Sequence, residues 1–300
     1  MYAIETRELT HRFAAETVLR QLALQVPRGA VYGFLGPNGA GKTTTLRLIL
    51  GLLRLQAGAI EIFGRALQSD RLGLLRQVGS SIESPSLYGH LSARENLEVW
   101  RRIFRPPAQR IDDVLTLVGL ASTGRKRADQ FSLGMKQRLS IAVALLHEPA
   151  LLILDEPTNG LDPHGILEVR DLLTTLNREQ GITVLVSSHI LSEIEKLVTH
   201  VGIINRGALV FQGTLDALVA RQAQSSYVTI DTSDNTRALR VIASNGGAAR
   251  LDGGRVLMKP LPIEDVGRVV TSLVIAGIAV HEVTTLRKDL ENIFLDLISA

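Results

Sequence analysis

The chain has 300 residues, a formal net charge of +3, 45% hydrophobic residues and no cysteine. This length suits one large domain and a smaller one, and the absence of cysteine excludes disulfides and thiolate metal sites. No segment approaches the run of about 18 apolar residues that a membrane-spanning helix needs, and no basic-then-apolar leader is recognisable. We therefore expect the chain to stay on the cytoplasmic side. The small charge and the lack of a dense basic tract indicate no nucleic-acid partner.

The first half of the chain predicts strands, then a glycine-rich loop, then helices. Residues 4–10 and 22–26 alternate as strands, and residues 30–35 form a short apolar strand that runs into the loop. A helix is predicted over residues 43–53. Between about residues 92 and 148 the apolar spacing becomes three to four residues, which predicts helices. These helices are predicted at 94–104, 111–118 and 132–147.

The next segment returns to buried strands. Residues 151–154 and 183–187 are apolar and rich in β-branched residues, and a helix is predicted between them at 164–179. Strands that alternate with helices predict an α/β domain with a mostly parallel sheet. We assign this domain to residues 1–222, with an antiparallel β part at its N-terminus and a helical insertion at about 84–148.

A composition change at residues 220–226 is typical of a linker, and a small domain is predicted over residues 223–300. Its elements follow the order βαββαβ, with a hairpin signal at Asp252-Gly253-Gly254. This order predicts a ferredoxin-like α+β domain. The elements are predicted at 227–231, 236–244, 248–251, 255–259, 264–276 and 278–283.

The loop after residues 30–35 matches the phosphate-binding pattern GxxxxGK[ST]. Its glycines let backbone N–H groups converge on phosphates, and the N-terminus of the following helix adds positive potential. In this pattern Lys42 reaches the β- and γ-phosphates and the Thr43 hydroxyl ligates Mg²⁺. The predicted nucleotide-binding residues are Gly36, Pro37, Asn38, Gly39, Ala40, Gly41, Lys42, Thr43 and Thr44.

Two adjacent acids, Asp155 and Glu156, end the apolar strand at 151–154. In an open α/β sheet, ligands bind at the carboxyl ends of the strands. We predict that Asp155 holds Mg²⁺, and that Glu156 orients and deprotonates an attacking water. A solvated strand exit is the alternative interpretation.

Residues 131–138, Phe-Ser-Leu-Gly-Met-Lys-Gln-Arg, resemble the LSGGQ signature of ABC transporter ATPases. Alone, they would be an ordinary amphipathic helix with Ser132 as its N-cap. With the phosphate loop upstream and Asp155-Glu156 downstream, the chain resembles this family over roughly residues 1–220. The resemblance implies a P-loop NTPase fold, in which Ser132 and Gly134 meet the γ-phosphate of ATP on a second subunit. The chain has Leu133 and Met135 where the signature has Gly and Gln.

Three further matches follow the order of the family. Residues 159–162 resemble the D-loop and include Asp162, which implies coupling between two sites across a dimer. Ser187-Ser188-His189 resembles the switch-histidine segment, and the resemblance makes His189, with Lys42 and Glu156, a catalytic residue. Phe13 lies where the family places an aromatic ring against adenine, although it could be only a half-buried strand residue.

Glu83 is an informative departure, because the family has glutamine at this point of the Q-loop. A carboxylate ligates Mg²⁺ or accepts from water but cannot donate an N–H; a surface-loop acid is the alternative. Glu83, with the sequence around it and the signature segment, resembles the ATPases of bacitracin-resistance and lantibiotic self-protection exporters. The tail at 290–294 resembles a terminal segment of drug-exporting ABC ATPases; an amphipathic helix that covers the small domain is the alternative, and the two are not exclusive.

The resemblance implies an ATPase subunit that uses ATP and Mg²⁺ and forms a dimer with an identical or similar ATPase. It also implies a separate integral membrane permease at the cytoplasmic face of the bacterial plasma membrane, docked in a groove around residues 83–97. Peptide-antibiotic export is the favoured function. A lipid, polysaccharide or other drug exporter is an alternative. An ABC ATPase acting on ribosomes or DNA is disfavoured, because the chain has one ATPase half and no heptad run.

Overall fold

The computed structural model describes residues 1–83, 86–224, 227–259, 261–286 and 290–299. The chain divides into two compact units, one of Met1–Leu215 with Leu297–Ala300 and one of Asp216–Asp296. Within the described ranges, no helix combines the length and the apolar character needed to cross a membrane.

The first unit contains eleven described strands, seven described α-helices and two short 3-10 helices at Ala121–Thr123 and Ala128–Gln130. The strands are β1 (Tyr2–Phe13), β2 (Glu16–Leu22), β3 (Gln25–Pro27), β4 (Val31–Leu35), β5 (Ala57–Ile62), β6 (Arg65–Ala66), β7 (Val78–Ser81), β8 (Leu151–Asp155), β9 (Thr183–Ser188), β10 (His200–Asn205) and β11 (Ala208–Thr214). The helices are α1 (Lys42–Ile49), α2 (Arg71–Leu75), α3 (Ala93–Phe104), α4 (Gln109–Leu117), α5 (Leu133–Leu145), α6 (Pro163–Gln180) and α7 (Leu191–Ile194). A further helix, α8 (Leu215–Gln224), begins where the two units divide.

The six-stranded sheet of the first unit has the order β11-β10-β4-β9-β8-β7. All its pairs are parallel except β10 with β11. Strands β4, β8 and β9 are buried along their whole length. Their ends are in register, since Leu35 pairs with Ser188 and Asp155 pairs with Ser187. The predicted mostly parallel sheet is confirmed, and its carboxyl edge brings three loops together.

The N-terminal part is the predicted antiparallel sheet, with strand order β2-β1-β5-β6 and β3 beside β1. The prediction of one strand over 22–26 is wrong, because β2 ends at Leu22 and β3 begins at Gln25. Thr6 fills this break: its hydroxyl donates to the Leu22 carbonyl and accepts from the Leu24 amide. The sequence pattern also did not predict strands β10 and β11.

Two predicted helices differ in the structure. Helix α1 ends at Ile49 instead of residue 53, because Gly51 adopts a left-handed φ of 63°, which terminates helices. Helix α5 is not amphipathic: it packs against β7, α3, α4 and α6 and is buried on most of its sides. Its apolar residues therefore serve several contacts at once.

The linker predicted at 220–226 is also corrected. Residues up to Gln224 belong to α8, and residues 225–226 lie outside the described part of the chain. Of the Q-loop segment, Ser84 and Pro85 likewise lie outside it.

The second unit has the predicted βαββαβ order. Its elements are β12 (Tyr227–Thr232), α9 (Asn235–Ser244), β13 (Ala249–Asp252), β14 (Arg255–Met258), α10 (Ile263–Ile275) and β15 (Val280–Leu286), and α11 (Leu290–Ser299) follows them. The core is apolar and includes Val228, Ile230 and Val256 from the sheet, with Ile242 and Leu273 from the helices. The sheet order is β13-β14-β12-β15, with antiparallel pairs throughout.

Candidate functional site

The loop between β4 and α1 is shaped by close backbone approach. A Cβ atom at Gly36 would lie 2.4 Å from the carbonyl oxygen of Ile204, so only glycine fits there. Gly41, the N-cap of α1, has a left-handed φ of 108°, which favours glycine. The loop closes over Lys42, which is 5% exposed. Lys42 Nζ donates to the Gly36 carbonyl at 2.8 Å and to the Pro37 carbonyl at 3.4 Å.

Asp155 lies at the end of β8 and is held by two hydroxyl groups. Its Oδ2 accepts from Thr43 Oγ1 at 2.7 Å, and its Oδ1 accepts from Ser187 Oγ. The Ser187 hydroxyl also accepts from the Glu156 amide at 2.9 Å. Thr43 and Asp155 thus present adjacent hard oxygen atoms, which are the ligands that Mg²⁺ prefers.

Glu156 is the centre of a three-residue contact. Its Oε1 lies 3.3 Å from Lys42 Nζ, and its Oε2 lies 2.9 Å from His189 Nδ1. The backbone of Glu156 has a φ of 48°, uncommon for a residue with a side chain. Glu156 therefore contacts both of the other residues predicted to be catalytic.

Two cavities open beside this contact, one of about 240 Å³ and one of about 290 Å³. Thr43 and Glu156 line both. Phe13 is at the first cavity, 46% exposed, with its ring 4.7 Å from the His11 ring between centroids. The first cavity is lined by Phe13, Val18, Asn38, Gly39, Gly41, Lys42, Thr43, Thr44 and Glu156. The second is lined by Thr43, Glu83, Leu133, Gln137, Asp155, Glu156 and Asn159.

Glu83 follows β7 at the same edge of the sheet. It has a left-handed φ of 61°, and its side chain is 57% exposed. Its Oε1 forms an ion pair with Arg47 Nη2, from the last turn of α1. The structure therefore brings Glu83 to the cavity that contains Thr43 and Asp155, with a cation beside it.

Ser132 and Asp162 are both helix N-caps. Ser132 Oγ accepts from the Met135 amide at 3.2 Å at the start of α5, and Asp162 Oδ1 accepts from the Gly165 amide at 3.1 Å at the start of α6. Both cap residues are exposed, and Gly134 is half-buried. Leu133 lines the second cavity, whereas Ser132 and Gly134 line neither.

Comparison with known proteins identifies the family. The family model described as ABC transporter matches residues 19–159. The bacitracin transport ATP-binding protein of Bacillus licheniformis is 48% identical over 237 residues, which cover 79% of this chain and 77% of the relative. The lantibiotic transport ATP-binding protein of Streptococcus pyogenes is 41% identical over 213 residues, covering 71% and 91%. The chain belongs to the ABC transporter ATP-binding family.

A solved ABC transporter structure has the same fold. The protein cbiO1 of Clostridium perfringens, part of an ABC transporter complex, superposes with a TM-score of 0.68 at 27% identity. The match covers 74% of this chain and 92% of that one. The predicted P-loop NTPase fold is thus confirmed. As a member of the ABC transporter ATP-binding family, the chain is an ATPase.

Sequence patterns missed several polar contacts around the ABC site. Thr158 Oγ1 donates to Glu193 Oε2 at 2.6 Å, which ties the segment after β8 to α7. Arg47 carries no motif of its own. It is four residues after Thr43 on α1, so the helical period places both on one face. That spacing could have directed attention to Arg47, but its partner Glu83 lies 36 residues further along the chain, after β5, β6, α2 and β7.

Proposed function

We propose that this chain is the ATP-hydrolysing subunit of an ABC exporter, with ATP bound across the two adjoining cavities. The observation that carries the proposal is the contact of Glu156 with Lys42 and His189, directly beside the phosphate loop. A structural ion pair would not need to lie where a glycine-rich loop, a helix N-terminus and two strand ends meet.

The phosphate loop is the proposed triphosphate site. The amides of Gly39, Gly41 and their neighbours, together with the N-terminus of α1, favour an anion. Phe13 is half-exposed at the cavity that the loop lines, which supports a role in stacking against adenine. The full set proposed to bind the nucleotide is Phe13 with Gly36, Pro37, Asn38, Gly39, Ala40, Gly41, Lys42, Thr43 and Thr44.

Thr43, Asp155 and Glu83 are the proposed ligands of Mg²⁺. The oxygens of Thr43 and Asp155 are 2.7 Å apart, and Glu83 lines the same cavity. When bound, Mg²⁺ offsets negative charge that develops on the phosphates during transfer.

Lys42 has a double role in the proposed reaction. Its ammonium group pairs with Glu156, and a triphosphate in the loop offers it a stronger, doubly charged partner. Transfer of Lys42 to the phosphates releases Glu156 Oε1, while His189 keeps hold of Oε2. Glu156 is then free to accept a proton from the attacking water as a general base.

A dimer completes the proposed site. The exposed N-terminus of α5, with Ser132 and Gly134, supports a contact with ATP on a second subunit, because free N–H groups there attract an anion. Asp162, exposed at the start of α6, is proposed to couple the two sites. The second subunit is an identical chain or a similar ATPase, and no nucleic acid is involved.

The proposed membrane partner is a separate integral permease at the cytoplasmic face of the plasma membrane, docked around residues 83–97. The proposed cargo is a peptide antibiotic of the bacitracin or lantibiotic class, since the two relatives described above carry those names. Residues 223–300 are proposed to form an accessory domain that assists dimerisation or regulation.

The test is Glu156→Gln, which keeps the shape of the side chain and removes the base. We expect ATP binding and a trapped dimer, with turnover reduced by at least about 10²-fold. Equilibrium binding of labelled ATP, size-exclusion chromatography and phosphate release measure the three quantities. Exposed Glu179→Gln on α6 is the matched control and should hydrolyse ATP normally. Near-normal turnover by Glu156→Gln would show that another group is the base.

A further inference from the structure

Glu83 adds a third carboxylate to the cavity that already contains Asp155 and Glu156. The other two are held by neighbouring groups: Asp155 accepts from two hydroxyls, and Glu156 pairs with Lys42. An additional negative charge beside a bound triphosphate is unfavourable unless a cation offsets it. Glu83 therefore requires its own counter-charge.

Arg47 supplies that positive charge from the last turn of α1. It lies on α1, the helix whose first residue is Lys42, and its guanidinium pairs with Glu83. Thr43 and Arg47 are four residues apart on this helix, so their Cβ atoms are about 5–6 Å apart on one face. The ion pair therefore joins Glu83 to the helix that carries Thr43, and Glu83 and Thr43 line the same cavity.

The exposure of the Arg47–Glu83 pair determines how strongly its two side chains attract each other. The Arg47 side chain is 37% exposed and that of Glu83 is 57% exposed. An ion pair in such surroundings changes an equilibrium constant by about two- to fivefold only. A divalent cation that arrives with the nucleotide is able to displace it, whereas a buried and fully hydrogen-bonded pair would resist displacement.

We propose that Arg47 is a positioning residue that holds Glu83 at the edge of the nucleotide cavity and releases it when Mg²⁺–ATP binds. Glu83 then exchanges the guanidinium for the metal ion. Arg47 thereby sets the Mg²⁺ concentration that nucleotide binding requires. This inference rests on the proposed function, because it assumes that Thr43, Asp155 and Glu83 face a metal–nucleotide complex.

The exchange also links two elements. Arg47 is on the helix that follows the phosphate loop, and Glu83 is in the segment between β7 and α3. Breaking their pair on nucleotide binding removes this link between Glu83 and α1. The proposed docking groove at residues 83–97 begins at this same residue.

The test measures nucleotide binding and not hydrolysis. In the full-length Glu156→Gln protein, a fluorescent ATP analogue is titrated at increasing MgCl₂ concentrations. Arg47→Met is expected to lower the Mg²⁺ concentration for half-maximal binding by about two- to fivefold, because Glu83 no longer has a competing partner. Arg47→Lys retains the charge and should stay close to the parent protein.

Glu83→Gln provides the second arm of a double-mutant cycle. In that background Arg47→Met should cause no comparable shift, because the pair is already absent. Arg54→Met is the charge-matched control: Arg54 is exposed, follows α1 and has no hydrogen bond or ion pair with any described residue. It should leave the Mg²⁺ requirement unchanged.

Three results would overturn the role of Arg47: an unchanged or raised Mg²⁺ requirement in Arg47→Met, an equal shift in the Glu83→Gln background, or the same shift in Arg54→Met. Failure of the proposed function has a different signature. In that case the parent protein itself would show no Mg²⁺-dependent nucleotide binding.

Discussion

Two serine–carboxylate contacts in this protein share their chemistry and differ in their surroundings. At the sheet edge, the Ser187 hydroxyl donates to Asp155 and accepts from the Glu156 amide, with Ser187 fully buried and Asp155 6% exposed. At the start of α3, the backbone amide and hydroxyl of Ser92 both donate to Glu95, which is exposed. The free-energy cost of losing such a contact therefore depends more on burial than on residue type. Water can hydrogen-bond to the exposed Glu95 when its partner is removed, but it does not reach the buried groups around Ser187.

The largest expected effect is at the sheet edge, in Gly36→Ala. The added Cβ would lie 2.4 Å from the Ile204 carbonyl oxygen and 2.8 Å from Ile204 Cγ2, so backbone must move. We expect a loss of about 3 kcal/mol in the free energy of unfolding, together with loss of nucleotide binding. Urea unfolding followed by the fluorescence of Trp100, the single tryptophan, measures the loss.

Gly267→Ala provides a control of opposite sign. Gly267 lies in α10, and a Cβ added there would meet no atom within 4 Å. The change should stabilise its helix by up to about 1 kcal/mol. Equal stability of Gly36→Ala and the natural protein would contradict the close approach at the phosphate loop.

The second-largest effect is expected for Ser187→Ala, which removes the buried serine contact and leaves the Ser92–Glu95 contact intact. It leaves Asp155 Oδ1 and the Glu156 amide without their buried partner. We expect about 1–3 kcal/mol less stability and slower ATP turnover, because both neighbours belong to the proposed site. Thermal unfolding and phosphate release measure the two changes. Exposed Ser80→Ala on β7 is the control, and a result no larger than that control would refute the argument from burial.

The smallest effect is the pH dependence of the Ser92–Glu95 contact. The backbone amide and hydroxyl of Ser92 hold the pKa of the Glu95 carboxyl below its ordinary range. Such a carboxylate adds stability above its unfolded pKa of about 4.3, and the contribution is lost as pH falls through the folded pKa. The natural protein should therefore lose slightly more stability than Glu95→Gln between pH 6 and pH 3. Urea midpoints across that range measure it, and parallel pH profiles would contradict it.

Much of the site was predictable because its polar residues lie in short contiguous segments of the sequence. The phosphate loop, Asp155 with Glu156 and the segment ending in His189 each follow a strand whose apolar composition is visible in the sequence. Parallel strands place such endings at one edge, so their convergence follows from the alternation of strands and helices. The βαββαβ order of the second unit was predictable for the same reason, since each of its elements is short and locally punctuated.

The errors occurred where distant neighbours override local pattern. Helix α5 has a spacing typical of an amphipathic helix, yet four other elements cover it. The break between β2 and β3 depends on Thr6, which is far away in the sequence.

By itself, the sequence determined the family, the nucleotide chemistry and the order of the elements in the second unit, because each of these rests on adjacent residues. Only the tertiary structure decided which polar groups are in contact. Lys42 and His189 contact the two carboxylate oxygens of Glu156, the Ser187 hydroxyl donates to Asp155, and Arg47 pairs with Glu83. Those contacts join residues from separate strands and helices. Their energies depend on burial and distance, which are properties of the folded chain and of no single segment.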